Sequence, residues 1–217
     1  MLRVGLTGDL GSGKSTVAKM LAARGAVVLS SDEMARHMMQ PGEPVYNAIV
    51  ASFGPAILAP DNTIDRRHLA RIAFDPANPR IEELNAIVHP PVLAAQAAQI
   101  EALAQSQPNA IVVVESALIF TTRYSGDKPW RDRFDRILLV TTPQEEKIAR
   151  FLHRTSAGRE LSTEERTTLE ADARKRLAEQ RLTEAHASEC LVLRNNGTLR
   201  DLELGVDAAW QDLQKLV

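Results

Sequence analysis

The segment Gly8-Asp9-Leu10-Gly11-Ser12-Gly13-Lys14-Ser15 sets glycines, a lysine and a hydroxyl at the spacing G-x-x-x-x-G-K-[ST]. With glycine at about 7% of residues, those four fixed positions arise by chance in a chain of this length on the order of 1% of the time. Their chemistry is the capture of a nucleoside polyphosphate. Glycines let the backbone curl until successive N–H groups converge into an anion-binding nest, and the positive end of a following helix adds to that field. Lys14 has the reach for the β- and γ-phosphates, and the Ser15 hydroxyl suits Mg²⁺. Gly8, Gly11, Ser12, Gly13 and Thr16 complete the cradle expected for the nucleotide. The alternative, a Gly-rich surface turn, does not account for an apolar strand pattern before the motif and a helical pattern after it, which is the context the motif requires.

The elements that must position this loop are legible as five apolar runs: Leu2–Thr7, Ala26–Leu29, Ile111–Val114, Arg136–Val140 and Cys190–Leu193. Continuous rather than alternating apolarity predicts strands buried on both faces, as in a parallel sheet. Helical patterns lie between them; Val17, Met20 and Leu21, for example, share one face of a helix opening at Ser15. The alternation predicts an α/β fold with right-handed crossovers. About 80 residues separate the second and third runs, more than one crossover helix needs. That stretch reads as a helical insertion built from Val45/Ile49/Phe53, Ile81/Leu84/Ile87/Val88 and Leu93/Ala97/Ile100, punctuated by Pro and Gly at 41–44, 54–60 and 90–91. A second interruption, Arg150–Arg181, is dense in Arg, Lys and Glu; its plainest reading is a solvated helix face with i,i+4 ion pairs.

Composition narrows the class. The chain has 217 residues, 26 Lys+Arg against 28 Asp+Glu and a net charge of −2, which argues against a nucleic-acid binder with a basic coat. One cysteine, Cys190, excludes a disulfide framework and leans toward a reducing compartment. No apolar run reaches the roughly 18–20 residues of a membrane span, and Met1 leads straight into a strand pattern without a signal-peptide preface. A cytoplasmic location without membrane attachment is expected.

Within the phosphate-loop class, the Asp-x-x-Gly and Asn-Lys-x-Asp elements of a GTPase switch are not in place, and the third run ends in a single carboxylate, Glu115, followed by Ser116 and Ala117. A kinase, which excludes water and aligns an acceptor hydroxyl, suits the two inserts better than an ATPase. Asp32 stands just past the second run, where the carboxyl ends of parallel strands line a ligand crevice. It is either a helix N-cap for Glu33–Met39 or the group that orients the acceptor and takes its proton, which a loose phosphoryl-transfer transition state permits of a weak base.

With these pieces assembled, the sequence resembles the dephospho-CoA kinases. The resemblance runs through Val4-Gly5-Leu6-Thr7-Gly8 and the loop, Asp32 with Ala35-Arg36, Pro41-Gly42, Phe53-Gly54, and Ile64-Asp65-Arg66 with Leu69 and Phe74. It continues through Leu84-Asn85-Ala86-Ile87, His89-Pro90, Leu118-Ile119-Phe120, Arg150 and Arg154, Arg176 with Gln180, and Asn195-Asn196-Gly197. It implies ATP-dependent phosphorylation of the ribose 3′-hydroxyl of dephospho-CoA, the last step of coenzyme A synthesis. It also implies a five-stranded parallel core in the order 2-3-1-4-5, a helical CoA-binding subdomain and a helical lid. On that pattern 1–32, 106–149 and 182–217 form the nucleotide core, 33–105 the insertion and 150–181 the lid. Asp32 matches the family's base, and Arg36 and His89 fall on the acceptor side. Arg150 and Arg154 match lid arginines that meet ATP phosphates. Asn195 and Gly197 match the adenine-side loop, and Glu115 matches the acidic position that can hold a Mg²⁺-bound water. Each has a plainer alternative: a helix face for the arginines, an Asn-Gly turn, a structural histidine, a solvated strand-end carboxylate.

The departures from the pattern are as pointed. Ser30 stands where the family usually has an Asp, Asp9 where it commonly has Gly, and Ala117 and Thr121 where Pro and Glu are usual. Thr155–Asp172 and Arg123–Arg133 look elaborated. A carboxylate at Asp9 would repel phosphates unless it faces away. The competing readings are another small-molecule or nucleoside kinase on the same core and, from a different class, a nucleotide-sensing module without turnover.

Overall fold

A computed structural model of the chain describes residues 1–120, 130–179 and 185–217. Thr121, most of the elaborated stretch Arg123–Arg133, and Gln180 and Arg181 at the end of the expected lid lie outside the described residues. The strands are β1 (Leu2–Thr7), β2 (Val27–Ser30), β3 (Ile111–Glu115), β4 (Arg136–Thr141) and β5 (Leu191–Arg194), in one parallel sheet ordered β2-β3-β1-β4-β5. Register is fixed by pairs such as Val4 with Val113, Gly5 with Ile137 and Leu139 with Val192. β1, β3 and β4 are buried on both faces, as continuous apolarity predicts. β5 is not: Leu191 and Val192 are exposed, because the order leaves this strand at the sheet edge.

The chain divides into two compact units. The first holds the sheet, with residues 1–29 and the described parts of 103–217. One of its cores joins Leu2, Val4 and Leu6 of β1 and Ile111 and Val113 of β3 to two helices. These are α1 (Lys14–Ala23), through Val17 and Leu21, and α9 (Leu199–Gln214), through Leu202, Val206, Ala209 and Leu213. The α9 residues recur at the helical period, and a capping box between Thr198 and Asp201 starts the helix. A second core in this unit joins α7 (Gln144–Ser156) to α8 (Thr163–Glu179) through Ile148, Phe151 and Leu152 against Leu169, Ala173 and Leu177. The short α6 (Trp130–Arg133) precedes β4.

The second unit, residues 30–102, holds α2 (Ser31–Met38), α3 (Pro44–Phe53), α4 (Arg66–Ala73) and most of α5 (Ile81–Ser106). Val45, Tyr46, Ile49, Phe53, Ile57, Ile64 and Leu69 form its core, with Leu84, Ile87 and Val88 packed on it. The prolines at 90–91 do not separate two helices here: α5 runs through both. Each proline removes one intrahelical donor, but Leu84, Ile87 and Val88 before them are tied into the core, and Val92 directly after is buried. Packing therefore outweighs two missing bonds.

Leu21 has no exposed surface and sits where α1 meets the sheet. Leu21→Ala should lower unfolding free energy by about 2–5 kcal/mol through lost burial and a residual cavity, measured by urea titration with an unchanged slope.

Candidate active site

The phosphate loop leaves the carboxyl end of β1 and turns into α1. Gly13 caps α1 with φ of 99° and Gly11 has φ of 73°, conformations that side chains rarely adopt. Space is as restrictive as conformation: a Cβ on Gly13 would strike Asn195 Nδ2, and one on Gly11 the backbone carbonyl of Lys147. Ser12 N donates to Asp9 O at 3.1 Å, closing the turn. Lys14 Nζ donates to the carbonyls of Gly8 and Asp9 at 2.6 and 3.1 Å, so its ammonium folds back over the loop mouth.

Two neighbouring strands hold the loop from one side. Thr142 and Asn195 each follow immediately after their strands, β4 and β5, and both are buried. Asn195 Nδ2 donates to Ser12 O at 2.8 Å. The Thr142 hydroxyl lies 3.0 Å from Ser12 O and 3.2 Å from Asn195 O. Arg150, from the second turn of α7, enters the same network: Nη2 donates to Asn195 O at 3.1 Å and to Glu146 at 3.0 Å, and Nη1 to Thr142 Oγ1 at 3.4 Å. On the other side, β3 ends in Glu115, whose Oε1 accepts from Ser15 Oγ at 2.8 Å.

Lys14, Ser15, Glu115, Arg150 and Asn195 are thus brought to one loop together with Gly8, Gly11, Ser12 and Gly13. Thr16 follows on the exposed first turn of α1. Arg154 is one turn beyond Arg150, is exposed, and its side chain meets no partner among the described residues. Gly197 lies before the α9 cap, where a Cβ would crowd the Asp201 carboxylate at 2.7 Å. Sequence reasoning missed Thr142; its signal was its place one residue after a strand adjacent to β1. It also missed the role of Asn195 as a fastener of the loop.

In the second unit, Asp32 lies in the first turn of α2 and is exposed. It is not the N-cap. Ser30 is, with its hydroxyl accepting from Glu33 N at 3.4 Å, because α2 begins at Ser31. Arg36 occupies the last turn of α2 and faces Arg66 at the start of α4. Burial first, and the charge of Arg36 second, push the Arg66 guanidinium down. Two like charges held near one another favour an anion. His89 in α5 is half-buried, and desolvation lowers its pKa against the opposing pull of Glu82.

A parallel sheet in this order, with a glycine loop on its central strand closed by a lysine, a hydroxyl, a facing carboxylate and an arginine, defines a P-loop phosphotransferase. The dephospho-CoA kinase family profile matches residues 2–201. A protein named dephospho-CoA kinase from Moorella thermoacetica is 37% identical over 215 residues, 99% of this chain and 93% of the relative. The crystal structure of TT1252 from Thermus thermophilus superposes with a TM-score of 0.69 at 31% identity, covering 98% of this chain and 97% of that one. A shikimate kinase from Acinetobacter baumannii, at 16% identity, TM-score 0.55 and coverage of 99% and 96%, shares the fold. The chain belongs to the dephospho-CoA kinase family.

Thr142→Val keeps the volume and deletes the hydroxyl at the junction of loop, Asn195 and Arg150. It should cost about 1–3 kcal/mol of stability, read by chemical denaturation against the unaltered chain.

Proposed function

We infer that the chain transfers the γ-phosphoryl group of ATP to the ribose 3′-hydroxyl of dephospho-CoA, giving coenzyme A. The observation that carries this reading is the family match across residues 2–201, on a chain whose phosphate loop is built and braced as the chemistry needs. Phosphoryl transfer asks for positioning and for stabilisation of charge spread over the transferred group. Loop N–H groups and Lys14 receive the β- and γ-phosphates, Lys14 exchanging its bonds to Gly8 and Asp9 carbonyls for phosphate oxygens. Arg150 supplies a guanidinium already oriented by Thr142, Glu146 and Asn195. Arg154 serves as a second lid cation, free to move because it is exposed.

Ser15 Oγ and Glu115 Oε1 are hard oxygen donors 2.8 Å apart, and Mg²⁺ in nucleotide sites takes one or two carboxylates plus substrate phosphates. These two residues fit the ion, and when bound it neutralises charge between the β- and γ-oxygens. Asp32 orients the acceptor hydroxyl and takes its proton. Its warrant is its place two residues past β2 and the cap role of Ser30, which leaves its carboxylate unspent. Arg36, beside Arg66, and His89 serve the acceptor within the insertion 33–105, and 150–181 acts as the lid. Asn195 and Gly197 border the adenine side. No helix among the described residues is long and apolar enough to cross a membrane, and a chain with one cysteine, which has no intrachain disulfide partner, suits a reducing, cytoplasmic compartment.

The test is direct. Purified protein with Mg·ATP and dephospho-CoA should yield CoA by mass spectrometry, whereas a nucleoside panel should stay unphosphorylated; another acceptor phosphorylated in its place would overturn the assignment. Lys14→Ala should lower kcat/KM about 10²-fold or more. Asp32→Asn should leave ATP affinity intact while cutting turnover about 10²-fold, and normal turnover would remove the base role.

A further inference from the structure

Asp9 is the loop residue that phosphate binding does not ask for, since a carboxylate there adds repulsion to a polyanion site. Its side chain is 10% exposed, and Oδ2 lies 2.5 Å from Nζ of Lys147, whose side chain is 9% exposed. Oδ1 is buried without a hydrogen-bond partner among the described residues, so the pairing cation is what balances this carboxylate. Lys147 belongs to α7, three residues before Arg150. The contact is not limited to the ion pair. Leu10 packs on the cluster of Ile148, Phe151 and Leu152, and Gly11 lies against the Lys147 backbone so closely that a Cβ would collide with it. Three successive loop residues therefore touch one helix by three means: charge, apolar packing and backbone contact.

We propose that Lys147 is a positioning residue for the nucleotide, acting through Asp9. It cancels the loop's own negative charge, while the Leu10 and Gly11 contacts hold the loop against α7 beside Arg150. The proposal rests on the reading of the loop as an ATP site. Removing the lysine alone leaves a buried, uncompensated carboxylate a few residues from the phosphate groups. Removing both charges restores neutrality. A purely structural tie would show this asymmetry in stability alone, whereas a charge that acts on the phosphates shows it in ATP affinity.

The experiment measures ATP dissociation constants by calorimetry on the full chain without acceptor, for the unaltered protein, Lys147→Gln and the double variant Asp9→Asn/Lys147→Gln. Lys147→Gln should bind ATP tenfold or more weakly, and the double variant should return to within about threefold of the unaltered chain. In steady state the loss should fall on the KM for ATP, with the KM for dephospho-CoA within twofold. A double variant as weak as Lys147→Gln, or a Lys147→Gln that binds ATP like the unaltered chain, overturns the proposal. Should Lys147→Gln not fold, the double variant decides alone: near-normal ATP binding supports charge cancellation and a tenfold loss refutes it. Because binding is read without acceptor, a chain that binds ATP but makes no CoA overturns the acceptor assignment and leaves this one standing.

Discussion

The carbonyl of Ser12 is the point on which the site hangs: it accepts from Asn195 Nδ2 at 2.8 Å and lies 3.0 Å from the Thr142 hydroxyl. A loop that presents N–H groups inward must turn carbonyls outward, and a buried carbonyl without a donor is costly. Here the donors come from residues placed just past β4 and β5. They reach the loop because the sheet order sets β4 beside β1 and β5 beside β4. The same order sets β3 on the other flank, so that its terminal Glu115 meets Ser15. Strand order is thus not a label for the fold; it is what converts three strand ends into one phosphate site.

Parallel register makes this arrangement stiff. Val4, Leu6, Val113, Leu138 and Val140 are almost wholly buried, and α1 and α9 cover one face of the sheet. The ends of β1, β3 and β4 are therefore held in one frame by pairing and packing, and the loop starts from that frame. Functional groups mounted on such ends hold their geometry better than groups on free loops. Arg150 reaches the site differently. It comes from α7, whose own core with α8 lies beyond the sheet, and its guanidinium is oriented by acceptors on Thr142, Glu146 and Asn195 rather than by strand pairing.

Much of this was legible in the sequence, for identifiable reasons. A strand buried on both faces has to be apolar throughout, so β1, β3 and β4 declared themselves within a residue of their observed ends. The glycine loop did so because its backbone conformations need its residues. What stayed hidden depends on partners distant along the chain. Asp9 and Lys147 are 138 positions apart, and nothing local marks either as paired. Local reading favoured Asp32 as much for a cap as for chemistry, since a carboxylate suits both; the cap falls to Ser30, whose hydroxyl accepts from Glu33 N. The prolines at 90–91 misled because their local effect on a helix is unfavourable, while the apolar contacts that hold α5 together are tertiary.

Arg150 and Arg154 pose the same problem in a sharper form, because residue type and helical spacing treat them alike. They are separated by one turn of α7, yet one is braced by three oxygen acceptors and the other is exposed, without a side-chain partner among the described residues. The difference lies in where the helix passes the ends of β4 and β5, which only the fold determines. Three arginines further along are spent on their own surroundings: Arg159 on Glu165, Arg174 on Glu145, Arg176 on Asp172. A segment dense in basic residues therefore contributes fewer charges to a phosphate site than its composition promises. Exposed pairs of this kind add little stability, but each occupies a guanidinium. On the proposed reading a polyphosphate is received by the loop N–H groups, Lys14 and Arg150, with Arg154 joining from the lid, and so small a set of cations makes a buried carboxylate at Asp9 a charge worth cancelling.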